Sequence, residues 1–489
     1  MGRIVASVLL PHPPVVVPDV GKGQEEGARP TLDAMRTAAA DLAAALPDLL
    51  VLITPHAPAF SDYFQISAPP VLSGDLAAFG DRGVLSFQGH PAFADLLAEE
   101  AGKDALPAGP ALGVHRPGRG GPDALDHGAV VPLHFLAEAF GENSRPALVR
   151  LSISGLDLMS HYRYGQAAAR AVKRLPDEGG RELRVALLAS GDLSHCLKKD
   201  GPYGFNPEGP KFDALVDEAF RTADPAPLLR LTAHQRDEAG ECGLRSVVFL
   251  FGANDGRSLH GEVLSHEGPF GVGYCVARLV AGDEAPSSLL GLETAEGETA
   301  KVRRRREGPL VTVARRALES RLRGHRRLSS EDAREAAGTA VGDTADVQRN
   351  LLGIPAGAFV SLHSPDGSLR GCIGTVFPQR DDLAREIVEN AESAALRDPR
   401  FPPVEESELD GLEITVDVMG TPEPIASKGF LDPARYGVIV RKGFRSGLLL
   451  PALEGVDTVS EQVSIALRKA GIAPDEDYRL ERFEARRFT

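Results

Sequence analysis

The chain has 489 residues, 43% of them apolar and 25% charged, which is too long for one hydrophobic core and suited to two or three domains. A formal net charge of −15 argues against a nucleic-acid partner, whose phosphates need clustered Lys and Arg. Four scattered cysteines without a C-x-x-C pair, no apolar run of membrane-span length, and an N-terminal run that turns into Pro11-His12-Pro13-Pro14 rather than a cleavage site together predict a soluble, reduced, cytoplasmic protein.

The first predicted strand, Ile4 to Leu10, ends at His12. A helix over roughly Ala28 to Leu46 follows, then a strand at Leu49 to Ile53 that ends in Thr54-Pro55-His56-Ala57-Pro58. Next comes a glycine-rich approach, Gly118 to Gly121, leading through Asp126-His127-Gly128 into the apolar segment Val130 to Phe135. Strands at Ala147 to Ile153 and Leu183 to Leu188 flank an Ala-rich helix near Gly165 to Arg174. The apolar run from Val185 to Ala189 then opens into Ser190-Gly191-Asp192-Leu193-Ser194-His195. Ala239-Gly240-Glu241-Cys242-Gly243 opens an apolar helix reaching Phe251, and Val272 to Val280 reads as a last strand. This alternation predicts an α/β domain around a largely parallel sheet with flanking helices.

Gly282 to Gly308 has no hydrophobic period and passes from acidic, Ser- and Gly-rich sequence to the basic run Lys301 to Arg306, which reads as a solvated linker. The expected division is therefore a first domain at 1–282, a linker at 283–307 and a second domain at 308–489. Beyond the linker, Leu310 to Leu322 has helical spacing. Segments Ala358 to Leu362, Leu412 to Val418 and Val438 to Val440 read as strands, and Leu383 to Ala395 and Val459 to Ala470 as helices. The second domain is α+β, with no parallel pattern.

The chemistry concentrates in the first domain, since only His325 and His363 of the 13 histidines lie beyond residue 300. His12, His56 and His195 each follow a strand, and the crevice beyond strand carboxyl ends is where open α/β sheets bind ligands. Imidazole there serves as a metal ligand or as an acid/base near neutral pH. Asp126 either orients His127 or caps a helix. Cys242, placed in a first helical turn, would have its thiolate favoured by the helix dipole, and Glu241 would be favoured there as a simple charge. Ser194 beside His195 lacks the setting of a nucleophile elbow, so a hydrolase ranks below other readings. In the second domain Cys372 and His363 could form a nucleophile and base, although a structural role is favoured for each.

Together these segments resemble the class III extradiol dioxygenase superfamily, which includes the catalytic chain of protocatechuate 4,5-dioxygenase, DOPA extradiol dioxygenases and the Memo proteins. The carriers are Pro11-His12-Pro13, Thr54-Pro55-His56, Asp126-His127-Gly128, Gly191-Asp192-Leu193-Ser194-His195, Glu241-Cys242-Gly243 and Glu267-Gly268-Pro269-Phe270-Gly271-Val272-Gly273-Tyr274. The resemblance implies that His12 and His56 are metal ligands, that His195 is the catalytic acid/base, and that His127 lines the substrate site. Ring-cleaving members complete the site with a glutamate, and Memo-like members have a cysteine before a glycine. Both types stand here, at Glu241 and Cys242, and adjacent helical residues point about 100° apart, so both are not expected on one ion.

Two functions follow from the resemblance. The leading one is a non-heme Fe(II) dioxygenase cleaving a catechol-like ring with O2, with Zn or Cu as other metals such ligands accept. The alternative is a Memo-like metal-binding protein without ring cleavage. Leu369-Arg370-Gly371-Cys372-Ile373-Gly374, Asp398-Pro399-Arg400-Phe401-Pro402-Pro403 and Gly447-Leu448-Leu449-Leu450-Pro451 resemble the Ammecr-type domain. That resemblance implies a radical SAM protein as partner in a modification system.

Overall fold

A computed structural model describes the chain apart from residues 1, 111–120, 122, 142–143, 178–179, 289–303, 305, 341–344, 366 and 452–455. It divides into two compact units, Met1–Leu292 and Glu293–Thr489. Most of the glycine-rich approach to Asp126 and the middle of the expected linker lie outside the described residues. Of the basic run, Arg304 is not a solvated charge: it donates to Asp410 Oδ1 at 2.6 Å and to Leu409 O at 3.2 Å.

In the first unit, β1 (Arg3–Leu10), β2 (Leu49–Thr54), β3 (Phe64–Ser67), β6 (Ala108–Gly109), β7 (Ala147–Ser152), β8 (Arg184–Ser190), β9 (Arg257–Glu267) and β10 (Tyr274–Glu284) form one sheet in the order β6-β3-β7-β2-β8-β1-β10-β9. A separate hairpin pairs β4 (Val71–Leu76) with β5 (Asp81–Gln88). The strands β7, β2, β8 and β1 are parallel neighbours, but β10 pairs antiparallel with both β1 and β9, and β3 antiparallel with β7. The sheet is therefore mixed rather than largely parallel. A short connection such as the one from Glu267 to Tyr274 can join only antiparallel neighbours, because a parallel pair needs a crossover.

The central strands are apolar on both faces because helices cover both. Alternate residues feed separate cores, as the period of two requires. Leu9, Val51, Ile53, Leu187 and Ala189 face one core with α4 (Leu158–Arg174) and α7 (Leu244–Ala253), while Val8, Leu10, Leu50, Leu52 and Leu188 face the other with α1 (Arg29–Ala44) and α3 (His127–Phe140). Helices α2 (Pro91–Lys103), α5 (Glu208–Thr222) and α6 (Ala233–Ala239) also belong to this unit. Where α4 crosses α7, a Cβ on Gly165 would sit 2.1 Å from Phe249 O and one on Gly252 2.0 Å from Tyr162 O. Two glycines thus let the backbones meet.

The second unit is an antiparallel sheet in the order β12-β11-β13-β17-β15-β16, with β14 added on β17. Its strands are β11 (Ala358–His363), β12 (Leu369–Gly374), β13 (Glu413–Met419), β14 (Glu423–Ile425), β15 (Tyr436–Lys442), β16 (Arg445–Leu449) and β17 (Arg479–Phe488). Val360, Leu362, Ile414 and Val416 bury one face under helices Pro309–Leu322 and Leu383–Leu396. This agrees with the α+β expectation. Among the described residues, no helix is long and apolar enough to cross a membrane.

His161 of α4 shows how the first unit uses a histidine for structure. Its Nδ1–H donates to Asp157 O at 2.8 Å and its Nε2 accepts from Ser154 N at 3.2 Å, so both nitrogens are committed in the neutral form. Burial holds its pKa down to about 3. Between pH 6.5 and 3 the unfolded chain takes up a proton that the folded chain refuses. The stability is complete above pH 6.5 and falls as pH drops, by at most about 1.4 kcal/mol per pH unit from this residue. Urea titrations of His161→Gln at pH 7, 6 and 5 are expected to show a shallower loss than wild type; an equal slope would place the acid sensitivity elsewhere.

Candidate metal centre

Three parallel strands deliver the site. Leu9 and Ile53 both align with Ala189, so β1, β2 and β8 end level with one another. His12 and His56 each lie three residues past an aligned position, and the Ser190–His195 loop leaves β8 beside them.

His12 is buried and tightly held. Its backbone N–H donates to Asp192 Oδ1 at 2.8 Å, and its ring Nδ1 lies 2.9 Å from Ser190 Oγ. The single hydroxyl proton of Ser190 goes to Gly128 O, so Ser190 Oγ accepts from His12 Nδ1–H. That assigns the tautomer and leaves a lone pair on His12 Nε2, the arrangement that orients a metal-ligating imidazole. His56 Nε2 is 3.0 Å from that nitrogen and Cys242 Sγ is 3.6 Å from it. The three donor atoms all lie within 4.8 Å of one another. Ions bound at about 2.0–2.1 Å to nitrogen and 2.3 Å to sulfur accommodate such separations, so the donor set fits a single metal ion.

The electrostatics agree. Burial, followed by the neighbouring histidines, pushes His12 and His56 down to about 3, which keeps both neutral near pH 7. Burial pushes the Cys242 thiol up, with the charges of Asp192 and Glu241 adding to it. Asp192 itself is raised by burial to about 6. A cation is what would draw the proton from such a thiol.

Glu241 does not join the cluster, against the expectation that it could be a ligand. Its Oε2 accepts from Leu244 N at 2.7 Å and so caps the start of α7. Nor is Cys242 in a first helical turn: Gly240 breaks the chain after α6 at φ +62°, and Gly243 is the N-cap of α7. Gly243 packs on Gly191, where an added Cβ would sit 2.3 Å from Gly243 Cα. That backbone contact brings Cys242 Sγ within 3.6 Å of Asp192 O.

His127 opens α3 and its ring lies 4.2 Å from that of His56, tilted by 30°. Asp126 is the helix cap: Oδ1 accepts from Ala129 N at 3.2 Å and from Thr54 Oγ1 at 2.8 Å. Gly128 is required because a Cβ there would lie 2.6 Å from Thr54 Oγ1 and 3.1 Å from His56 Cδ2. His195 stands outside the three converging donors with its ring 5.0 Å from that of Tyr203. Burial lowers its pKa while Asp192 and Asp213 raise it. Ser194 donates its hydroxyl to Ala239 O at 2.7 Å, which commits it to the backbone. Ser190, Asp192 and Asp213 carry contacts that sequence reasoning did not assign; Ser190 and Asp192 stood within a quoted segment, and Asp213 had no local signal.

In the second unit two of the recognisable segments, Leu369–Gly374 and Asp398–Pro403, lock to one another. Arg370 donates to Pro402 O at 2.8 Å, to Pro403 O at 3.2 Å and to Glu408. Cys372 N donates to Asp398 Oδ2 at 2.9 Å, and its Sγ accepts from Ser361 Oγ at 3.2 Å. Gly371 meets Ala394 O, where a Cβ would sit at 2.2 Å. His363 pairs across the sheet with Leu369 and Glu413, while Cys372 pairs with Ser361.

Comparison with known proteins assigns both units. The family described as the catalytic LigB subunit of aromatic ring-opening dioxygenase matches residues 6–277, and the AMMECR1 family matches residues 311–488. A protein of Clostridium acetobutylicum is 37% identical over 477 residues, covering 97% of each chain, so it spans both matched regions. A Thermotoga maritima protein is 54% identical over 29% of this chain and 82% of its own, and one from Methanothermobacter thermautotrophicus is 38% identical over 37% of this chain and 91% of its own.

The Ser190 relay yields a test. Ser190→Ala leaves His12 Nδ1 and Gly128 O without their buried partner, which costs about 1–3 kcal/mol of stability and about 10- to 100-fold in metal affinity. Competition with a chromogenic chelator measures the second quantity; unchanged affinity would show that the tautomer is set by another group.

Proposed function

From the premise that this chain belongs to the LigB family, with an AMMECR1 domain following, we propose that its first unit is a Memo-like metal-binding protein. His12 Nε2, His56 Nε2 and Cys242 Sγ are its ligands. The observation that carries this reading is the convergence of the Cys242 thiol, in place of the Glu241 carboxylate, on the two imidazoles. Two histidines and a carboxylate are the set for non-heme Fe(II) oxygenases, whereas a thiolate makes a softer site suited to copper, zinc or thiolate-bound iron.

A second reading, ring cleavage of a catechol-like substrate with O2, is favoured by His127 and His195. Both are kept below the ordinary histidine range chiefly by burial, and both interact electrostatically with the donor residues. A bound ion would supply Lewis acidity and, if redox-active, electrons for dioxygen. The chain's own part is proton handling: His195 takes a proton from a bound hydroxyl, and the Asp192 and Asp213 carboxylates steady the imidazolium that results.

Metal analysis of anaerobically purified full chain separates the readings. Cys242→Ala is expected to lose at least about tenfold in metal affinity, together with any sulfur-to-metal charge-transfer band, while Glu241→Gln keeps the metal and, because its amide oxygen still accepts from Leu244 N, keeps the helix start as well. The reverse pattern would restore the carboxylate-ligated dioxygenase. His195→Ala is expected to retain metal and to lower any catechol-dependent oxygen uptake by about 10² to 10⁴; metal loss in that variant would make His195 a ligand instead.

A further inference from the structure

Two exposed aromatic rings touch the metal pocket without any part in ligation. Phe79 closes the turn between β4 and β5, ahead of Gly80 at φ +103°, and its ring lies 5.5 Å from that of His127. The hairpin is pinned to the segment entering α3: Leu125 N donates to Ser73 O at 2.9 Å, and a Cβ on Gly74 would sit 2.3 Å from Leu125 O. Tyr203 stands in a loop closed by the bridge between Leu197 and Phe205 and by Asn206 N donating to Cys196 O at 3.0 Å. Its ring lies 5.0 Å from that of His195, tilted by 35°.

Packing for stability would bury such rings, yet Phe79 remains 44% exposed and Tyr203 65%. Among the described residues, the first unit exposes one other large aromatic, Phe205. Each of the two rings leans on one of the two histidines that flank the metal ligands, and each sits on a loop whose base is fixed by backbone hydrogen bonds. Uncovered aromatic surface held rigidly beside polar groups is how sites take flat ligands at little ordering cost.

We propose that Phe79 and Tyr203 are specificity-determining residues that stack on a planar, ring-bearing small molecule whose oxygen donors reach the metal. The inference rests on the metal-binding reading of the pocket. Phe79 leans on His127 and Tyr203 on His195, so a ring held against either aromatic lies beside an imidazole next to the metal ligands. Selectivity for flat ligands then comes from the two loops, and affinity for the donor atoms from the ion.

The metal-loaded full chain is titrated with 4-nitrocatechol, a planar probe, and with azide, a small metal ligand without a ring. Because the chain contains no tryptophan, Tyr203→Trp provides a single indole whose quenching reports the ring probe directly. Phe79→Ala and Tyr203→Ala are each expected to weaken 4-nitrocatechol by about two- to tenfold, with azide affinity and metal content unchanged, and Tyr203→Phe is expected to bind like wild type. Wild-type affinity for 4-nitrocatechol in both alanine variants, or an equal loss for both probes, overturns the proposal. A chain that holds no metal but still loses 4-nitrocatechol on these two substitutions would overturn the metal reading and leave the stacking role standing.

Discussion

Two imidazole nitrogens held 3.0 Å apart in a largely buried pocket are the constraint on which the first unit depends. Lone pairs at that distance repel unless a proton or a cation lies between them. On His12 the Ser190 relay to Gly128 O has already placed the proton on the far nitrogen. The close pair then requires either a proton on His56 Nε2 or a shared cation. The thiol sulfur 3.6 Å from His12 Nε2 supplies a third donor on the same point, so one ion can satisfy all three groups together.

Holding that geometry takes backbone rather than bulk. The level ends of β1, β2 and β8 set the two histidines side by side, but Gly128, Gly191 and Gly243 decide whether they and Cys242 can converge. At each, a methyl group would collide with a neighbour at 2.3–2.7 Å. Loss of Gly128 would press on Thr54 and His56, and through Thr54 on the Asp126 cap, so the helix carrying His127 and the strand end carrying His56 are mechanically one object. Asp192 ties the remaining loop to it by accepting from the His12 backbone.

Much of this was legible in the chain. Apolar runs ending in His12, His56 and the Ser190–His195 segment gave the strands, their common edge and the convergent histidines, because buried parallel strands are nearly all apolar and their boundaries are sharp. What stayed hidden has physical causes. Strands β9 and β17 carry charges at many positions, as in Arg479–Phe488, so their alternation is blurred. The antiparallel β9–β10 edge depends on pairing partners that local sequence does not name. The Cys-Gly context favoured Cys242 over Glu241 only slightly, because both suit the start of a helix; the break at Gly240 and the Gly191–Gly243 contact assign one to the cap and the other to the pocket. Phe79 and Tyr203 carried no signal, since an exposed ring in a loop has no periodicity to betray it.

With Cys242 proposed where a carboxylate ligand could stand, the pocket asks something different of its surroundings. A glutamate ligand arrives already ionised at neutral pH, so it attracts a hard cation from solution. Cys242 is buried beside Asp192 with its thiol pushed well up, and the backbone carbonyl of Asp192 is its nearby acceptor. Metal entry must therefore expel a proton, and Asp192, whose buried carboxyl is raised to about 6 and whose Oδ2 lies 3.9 Å from His12 Nε2, is a base placed beside the trio. A site of this kind selects for ions that bind sulfur strongly enough to offset thiol deprotonation, which disfavours magnesium, calcium and manganese before any question of substrate arises.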